Sequence, residues 1–224
     1  MPNILFASQF NLDAADYIKN IDLQNWHRYY VVIKTVQEVG AKKVLEVGIG
    51  NEIIKYCLLT LSINYKSIDI NAKLNPNIVC DIREFQPQIT ESFDCVICTE
   101  VLEHMPFNDL SLNLTNIYNY LTPGGSAIIT VPHREARIMV VSPFSHYTAR
   151  FISLPYLHTP RGYWNVLINH LKRKVDLDPH HCWEIGRAGI TIPKLEKEMT
   201  KTGFRIEKFR KLLYVDFWLL KKCR

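Results

Sequence analysis

The chain has 224 residues, 47% hydrophobic and 22% charged, the proportions of an ordinary globular protein with one substantial core. Those values exclude a disordered or collagen-like chain, and no run of roughly 18 apolar residues offers a membrane span. Net charge is +5 but uneven: residues 1–120 hold 9 Lys and Arg against 14 Asp and Glu, and residues 121–224 hold 18 against 8. The second half therefore suits an acidic or phosphorylated partner, or equally a basic solvated face.

The start, MPNILFASQFNLDAAD, has neither the basic region nor the long apolar region of a secretory leader, so the expected location is the cytoplasm. A helix is predicted from about Asn25 to Glu38. The apolar runs KVLEV, YKSIDI, NIVCD, FDCVICT and SAIITVP then read as short strands apolar on both faces. Helices are predicted at IIKYCLLTLS after the first strand and at NDLSLNLTNIYNYL before the fifth, the latter stopped by TPGG. Continuous apolar strands separated by helices mean a parallel sheet covered on both sides. Near the end, TIPKLEKEMTKTGF reads as a helix closed by Gly203, and RIEKFRKLLYVDFWLLKKC as two strands close enough that they must pair antiparallel.

Between Val131 and Thr191 the pattern is interrupted by a segment rich in proline and aromatics, with six of the eight histidines: His133, His146, His158, His170, His180 and His181. Within it Trp164, Leu167, Ile168, Leu171 and Val175 fall at helical spacing and Lys172, Arg173 and Lys174 form a basic run. A lid helix packed on the domain is favoured there over a membrane-surface or partner helix. The six cysteines are scattered and mostly inside apolar runs. Cys95 and Cys98 form a CxxC, but a strand turns them to opposite faces and no second pair follows, so reduced structural thiols are expected rather than zinc ligands.

The turn after the first strand, VGIGNEII, begins like a dinucleotide fingerprint, yet Ile53 stands where G-x-G-x-x-G needs its third glycine, which disfavours NAD. Instead Glu46 stands near the end of the first strand and Asp69 near the end of the second. Two carboxylates so placed suit a ligand with an ammonium at one end and ribose hydroxyls at the other.

At this point the sequence resembles the class I S-adenosylmethionine-dependent methyltransferases, through VLEVGIG, SIDI, CDIREF, FDCVICTEVLEHM and LTPGGSAIITVP in family order and spacing. The resemblance implies an α/β fold with a Rossmann-like seven-stranded sheet, mostly parallel with a C-terminal antiparallel hairpin and helices on both faces. It implies one methyltransferase domain over residues 1–224, with its N-terminal helix inside 1–40 and an acceptor-side insertion at about 132–190. Carried over by position, Gly48, Ile49 and Gly50 let the backbone approach the methionine part of S-adenosylmethionine, and Glu46 helps hold its amino group. Asp69 binds the ribose hydroxyls, Ile70 lies against the adenine, Asp81 and Ile82 sit at the adenine edge, and Thr99 with Glu100 closes the floor under the methionine. The stretch NWHRYYVVIKTV resembles the helix ahead of the first strand in many of these enzymes, placing His27, Arg28 and Tyr29 near the cofactor mouth, with Arg28 a partner for the methionine carboxylate. Glu52 occupies a position commonly glycine in the family. Its charge suits the first turn of a helix, and its carboxylate has the length to reach the cofactor.

EVLEHM is predicted as a helical turn on which Glu100, Glu103 and His104 share a face. It resembles the metal-binding turn of the small-RNA 3′-terminal 2′-O-methyltransferases and of the ubiquinone-pathway O-methyltransferases. In the former a later histidine completes the site, and here HHCWE offers His181 or His180. Such a set is oxygen-rich enough for Mg²⁺. The competing reading gives the same residues to helix capping or to the lining of an acceptor pocket. His104, His133 and His181 are the candidate bases for an acceptor that must lose a proton.

The expected function is methyl transfer to an oxygen or nitrogen of a small-molecule or sugar-type acceptor, with a phosphorylated acceptor left open by the basic second half. Second come metal-assisted transfer to an RNA 3′ end and a binding or scaffold protein that keeps the fold without turnover.

Overall fold

The structure is a computed structural model that describes residues 13–19, 21–133, 137–142, 148–153, 180–187 and 189–223. The short helix α1 (Ala14–Lys19) leads into α2 (Leu23–Glu38). Asp22 starts α2 by accepting a hydrogen bond from the Asn25 amide, and the side chains of Val32, Thr35 and Val36, at helical spacing, form its buried face. There follow β1 (Lys43–Val47), α3 (Ile53–Thr60), β2 (Asn64–Asp69), the two-residue β3 (Ile78–Val79) and β4 (Phe93–Thr99). Helix α4 (Leu110–Tyr120) runs directly into β5 (Leu121–Pro132). The hairpin β6 (Arg137–Ser142) and β7 (Thr148–Ser153) forms a separate two-stranded sheet, and α5 (Ile192–Lys201), β8 (Phe204–Lys211) and β9 (Val215–Lys222) close the chain.

The main sheet has the order β3-β2-β1-β4-β5-β9-β8. Strands β1 to β5 pair parallel, and β9 pairs antiparallel with both β5 and β8, as expected from the sequence. Strand order reverses between β1 and β4, so the crevice beyond their carboxyl ends is where an open α/β sheet binds its ligand.

Side-chain alternation sends Leu45, Val47, Val96 and Cys98 to one core, with α4 and α5, and Val44, Cys95 and Ile97 to the other, with α2 and α3. All six cysteines are free thiols, and the two of the CxxC do face opposite ways. Each fully buried large side chain, such as Trp218 or Phe93, stabilises the fold by roughly 1.5–3 kcal/mol relative to exposure.

Three local expectations are corrected. Helix α4 ends at Tyr120, and Leu121 already pairs with Phe93, so TPGG lies within the bulged start of β5 rather than stopping the helix. The third strand is only Ile78–Val79, shorter than the NIVCD expected, and the Cys80 amide still bonds the Asp69 carbonyl just beyond it. EVLEHM is a 3₁₀ turn over Leu102–His104, and Glu100 stands outside it in the left-handed region at φ 56°, so the three polar residues do not share one helical face. The proposed lid helix around residues 164–175 lies outside the described residues, as do His146, His158 and His170. Among the described residues no helix is long and apolar enough to cross a membrane.

Candidate active site

A cavity of about 940 Å³ opens at the carboxyl ends of β1, β2 and β4. Its first wall is the turn after β1, where Gly48 and Gly50 have φ of 78° and 58°. A side chain on Gly48 would overlap Cγ2 of Val101 on the opposite wall, which makes the glycine a packing requirement as well as a conformational one.

Glu46, from β1, is 1% exposed, and the Tyr65 hydroxyl donates to its Oε2 at 2.5 Å. Burial pushes its pKa up to about 8, against the opposing pull of the Tyr65 hydrogen bond and the Arg28 guanidinium. Asp69, ending β2, accepts the Ile49 amide at 2.8 Å and the Asn71 amide at 2.7 Å, so the two strand-end turns are tied through one carboxylate. Burial raises its pKa and those amides oppose the rise. Ile70, Asp81 and Ile82 line the next wall. Asp81 is held by Arg83, which also reaches Asp109.

Thr99 and Glu100 line the floor beyond β4. The backbone of Glu100 bonds Thr130 and its Oε1 accepts the Thr130 hydroxyl at 2.9 Å, so its left-handed turn lays the side chain against β5. Above them, Arg28 of α2 is 8% exposed and lines the cavity. One guanidinium nitrogen donates to Asn25 Oδ1 at 3.2 Å, while its Nε has no hydrogen-bond partner among the described residues.

Glu52 is the exception in the predicted cofactor set. It stands at φ 62°, the conformation that explains why glycine eases this turn, and its side chain pairs with Lys55 instead of lining the cavity. Residue 51 does the work beside it: Asn51 Oδ1 accepts the Ile53 amide at 3.2 Å at the start of α3, and its Nδ2 donates to the Tyr29 hydroxyl at 2.5 Å.

A second group of polar residues adjoins the cavity through His104. Ligand-type atoms of Glu103, His104 and His181 all fall within 4.8 Å of one another. Glu103 is fully buried, and neither carboxylate oxygen has a hydrogen-bond partner among the described residues. Burial first, then the nearby Glu100 carboxylate, raises its pKa well above the usual range. The imidazoles of His104 and His181 meet edge to face at 5.0 Å. His104 lines the cavity together with His180. Glu100 is not one of the three clustered groups, and His133 stands apart from the cavity lining, its amide bonded to the Tyr214 carbonyl.

Several lining residues escaped the sequence reading, among them Asp16, Tyr17 and Ile21 around α1 and Cys80 beyond β3. Helix α1 has six residues and none of its side chains is fully buried, so periodicity carries almost no signal there. Tyr17 lies over the glycine turn, 4.0 Å from where a Cβ on Gly50 would stand.

A family model described as "Methyltransferase domain" matches residues 25–208. The chain is 26% identical over 124 residues to a ubiquinone biosynthesis O-methyltransferase of Ralstonia nicotianae, covering 49% of this chain and 51% of that one. It is 25% identical over 197 residues to the mitochondrial ubiquinone biosynthesis O-methyltransferase of Rattus norvegicus, covering 80% of this chain and 49% of that one. The chain thus spans about half the length of the curated relatives it matches. Among solved structures, the N-methyltransferase NodS of Bradyrhizobium japonicum, in complex with S-adenosylhomocysteine, superposes with a TM-score of 0.63 at 11% identity, covering 98% of this chain and 97% of that one. Magnesium protoporphyrin IX methyltransferase of Synechocystis, also with S-adenosylhomocysteine bound, gives 0.59 at 13% identity over 91% of this chain and 85% of that one. With the family model covering most of the chain and the fold and glycine turn in agreement, the chain belongs to the S-adenosylmethionine-dependent class I methyltransferases.

Proposed function

We propose that this chain transfers the methyl group of S-adenosylmethionine to an oxygen or nitrogen of a small-molecule or sugar-type acceptor. The observation that carries the reading is the gathering of Arg28, Glu46, Gly48, Asp69 and Ile82 around one cavity at the strand-order reversal. The residues present fit the cofactor. Asp69 uses its oxygens on two backbone amides but keeps lone pairs for a pair of ribose hydroxyls. Glu46 is held partly protonated by burial, and a bound ammonium would draw it to the ionised form. Arg28 has donor capacity left for a carboxylate. Ile70 and Ile82 offer apolar surface to a base.

When bound, the sulfonium supplies an already activated methyl group. The chain's own contribution is then to hold the acceptor in line, keep water out and take a proton from an O–H acceptor. His104 is the best placed base, because it lines the cavity. His181 adjoins it, and His133 is the weakest of the three by position.

Metal-assisted transfer to oxygen, with RNA 3′ ends among its acceptors, is the second reading, favoured by the Glu103, His104 and His181 cluster. With Glu100 outside the cluster, a buried carboxylate without a hydrogen-bond partner among the described residues and two imidazoles within 4.8 Å form a nitrogen-rich set that suits a borderline divalent cation such as Mn²⁺ better than the Mg²⁺ expected from the sequence; such an ion would polarise an acceptor oxygen. The names of the ubiquinone-pathway relatives point to oxygen as well.

Calorimetric titration with S-adenosylmethionine and S-adenosylhomocysteine tests the first step. Absence of binding of either at millimolar concentration would overturn the enzyme reading in favour of a scaffold. A methyl-transfer screen over metabolite, sugar-nucleotide and RNA pools, with and without Mg²⁺, then identifies the acceptor. Undiminished activity in chelator would remove the metal.

A further inference from the structure

The segment carrying His181 is pinned from two sides, by two backbone amides and one indole. The Cys182 amide donates to the Glu103 carbonyl at 2.7 Å, the Trp183 indole to the Met105 carbonyl at 3.0 Å, and the Ile185 amide to the Pro132 carbonyl at 3.1 Å. With the backbone fixed, the remaining freedom of His181 is the rotation and tautomer of its ring. Nδ1 of His181 lies 2.9 Å from Oε1 of Glu184, and Oε2 of the same carboxylate lies 2.9 Å from Nε of Arg187. Glu184 is 6% exposed, so solvent does little to loosen this arrangement.

A carboxylate paired with a guanidinium acts as a hydrogen-bond acceptor. It therefore selects the tautomer with the proton on Nδ1 and places the lone pair on Nε2. His104 is treated in the same way by a different group: its Nδ1 lies 2.9 Å from the His180 carbonyl, which can only accept. Both imidazoles of the cluster thus have Nδ1 engaged by an acceptor, while the Glu103 carboxyl between them has no hydrogen-bond partner among the described residues.

We propose that Glu184 is a positioning residue of this cluster: with Arg187 as its counterion, it fixes the ring and tautomer of His181 so that Nε2 serves the group held between Glu103, His104 and His181. The part of the proposal that concerns a cation rests on the metal reading above, because a ligating imidazole must present a neutral lone pair. Outer carboxylates of this kind raise ligand basicity and set orientation. The spacing His181, Glu184, Arg187 puts ligand, orienter and counterion on one short segment.

The test uses the full chain and Mn²⁺ alone as probe. Glu184→Gln keeps the shape but replaces the carboxylate with an amide that can donate or accept. It is expected to raise the Mn²⁺ dissociation constant about 10–100-fold. Nitrogen-15 NMR of the imidazoles in the metal-free wild type is expected to show His181 as the Nδ1–H tautomer, and in Glu184→Gln as a mixture. A wild-type His181 protonated on Nε2 instead, or a variant with unchanged tautomer and Mn²⁺ affinity within twofold, would overturn the proposal. The wild-type spectrum decides even where the variant fails to fold. A wild type that binds no Mn²⁺ yet shows the Nδ1–H tautomer, lost in the variant, would refute the cation reading and support the positioning role.

Discussion

The cavity lining and the cluster that adjoins it are built on opposite principles. In the lining the polar groups are largely satisfied by the chain itself: Asp69 by two backbone amides, Glu46 by Tyr65, Asn51 by the start of α3 and by Tyr29. In the cluster that adjoins the cavity through His104, Glu103 is buried with neither oxygen hydrogen-bonded among the described residues, between histidines 77 positions apart in sequence. A site that satisfies its own polar groups is pre-organised and tolerates an empty state. A buried carboxyl with a strongly raised pKa keeps its proton until a cation meets it. The difference teaches which group a bound cation would change most.

The largest expected effect lies at this cluster. Glu103→Gln replaces a carboxyl that a cation could deprotonate with a neutral amide of the same shape, so it should abolish the Mn²⁺ response of the wild type while leaving the melting temperature of the metal-free protein little changed near neutral pH, where the raised pKa already keeps Glu103 protonated. Equal Mn²⁺ titrations for the two chains would break the comparison. Next, Gly48→Ala asks for a side chain at φ 78° against Val101, which sums overpacking of about 1–3 kcal/mol with a left-handed penalty of about 1–2 kcal/mol. The melting temperature should fall accordingly and binding of S-adenosylhomocysteine should weaken as the turn shifts, and Val101→Ala in the same chain should recover part of both; full affinity in Gly48→Ala would show that the turn does not touch the cofactor.

Asp69→Asn removes one charge-assisted interaction while keeping the shape, so affinity should fall roughly 10-fold, as calorimetry would read. Retained affinity would move the ribose elsewhere. Glu46 gives a smaller, pH-dependent signal. Its folded pKa is raised to about 8, so the folded state holds the proton more tightly than the unfolded chain. The resulting stability is fully present below the ordinary carboxylate pKa and is lost as pH rises through about 8. Glu46→Gln should flatten the decline of melting temperature over that window; an unaltered slope would mean that the carboxylate is already ionised in the fold. The smallest change is expected from Glu52→Gly, which relieves a left-handed glutamate but breaks the Lys55 pair. Stability should shift by about 1 kcal/mol or less and cofactor affinity by less than twofold, since the carboxylate faces Lys55.

Much of the cavity lining was legible in the sequence because its parts are local to strand ends. Glu46, Gly48 and Gly50 lie on one strand and its turn, and Asp69 ends the next, so strand direction alone brings them to one edge of the sheet. The misreadings there were of side-chain direction. Glu52 looked able to reach the cofactor, but a left-handed backbone carries its carboxylate to Lys55. Glu100 looked like a member of the EVLEHM face, but its own left-handed turn lays it against Thr130.

Residue order and apolar patterning determined the parallel sheet, its antiparallel hairpin and the edge at which the cavity opens, because strand period and connection rules act over short distances. Only the tertiary structure decided which polar groups share a cluster. It joined Glu103 and His104 to His181 through backbone hydrogen bonds between the 3₁₀ turn and the segment before α5, left His133 outside the cavity lining, and brought Glu184 and Arg187 in behind His181. Such contacts follow from how two distant segments pack against one another, and no local period in the sequence encodes that packing.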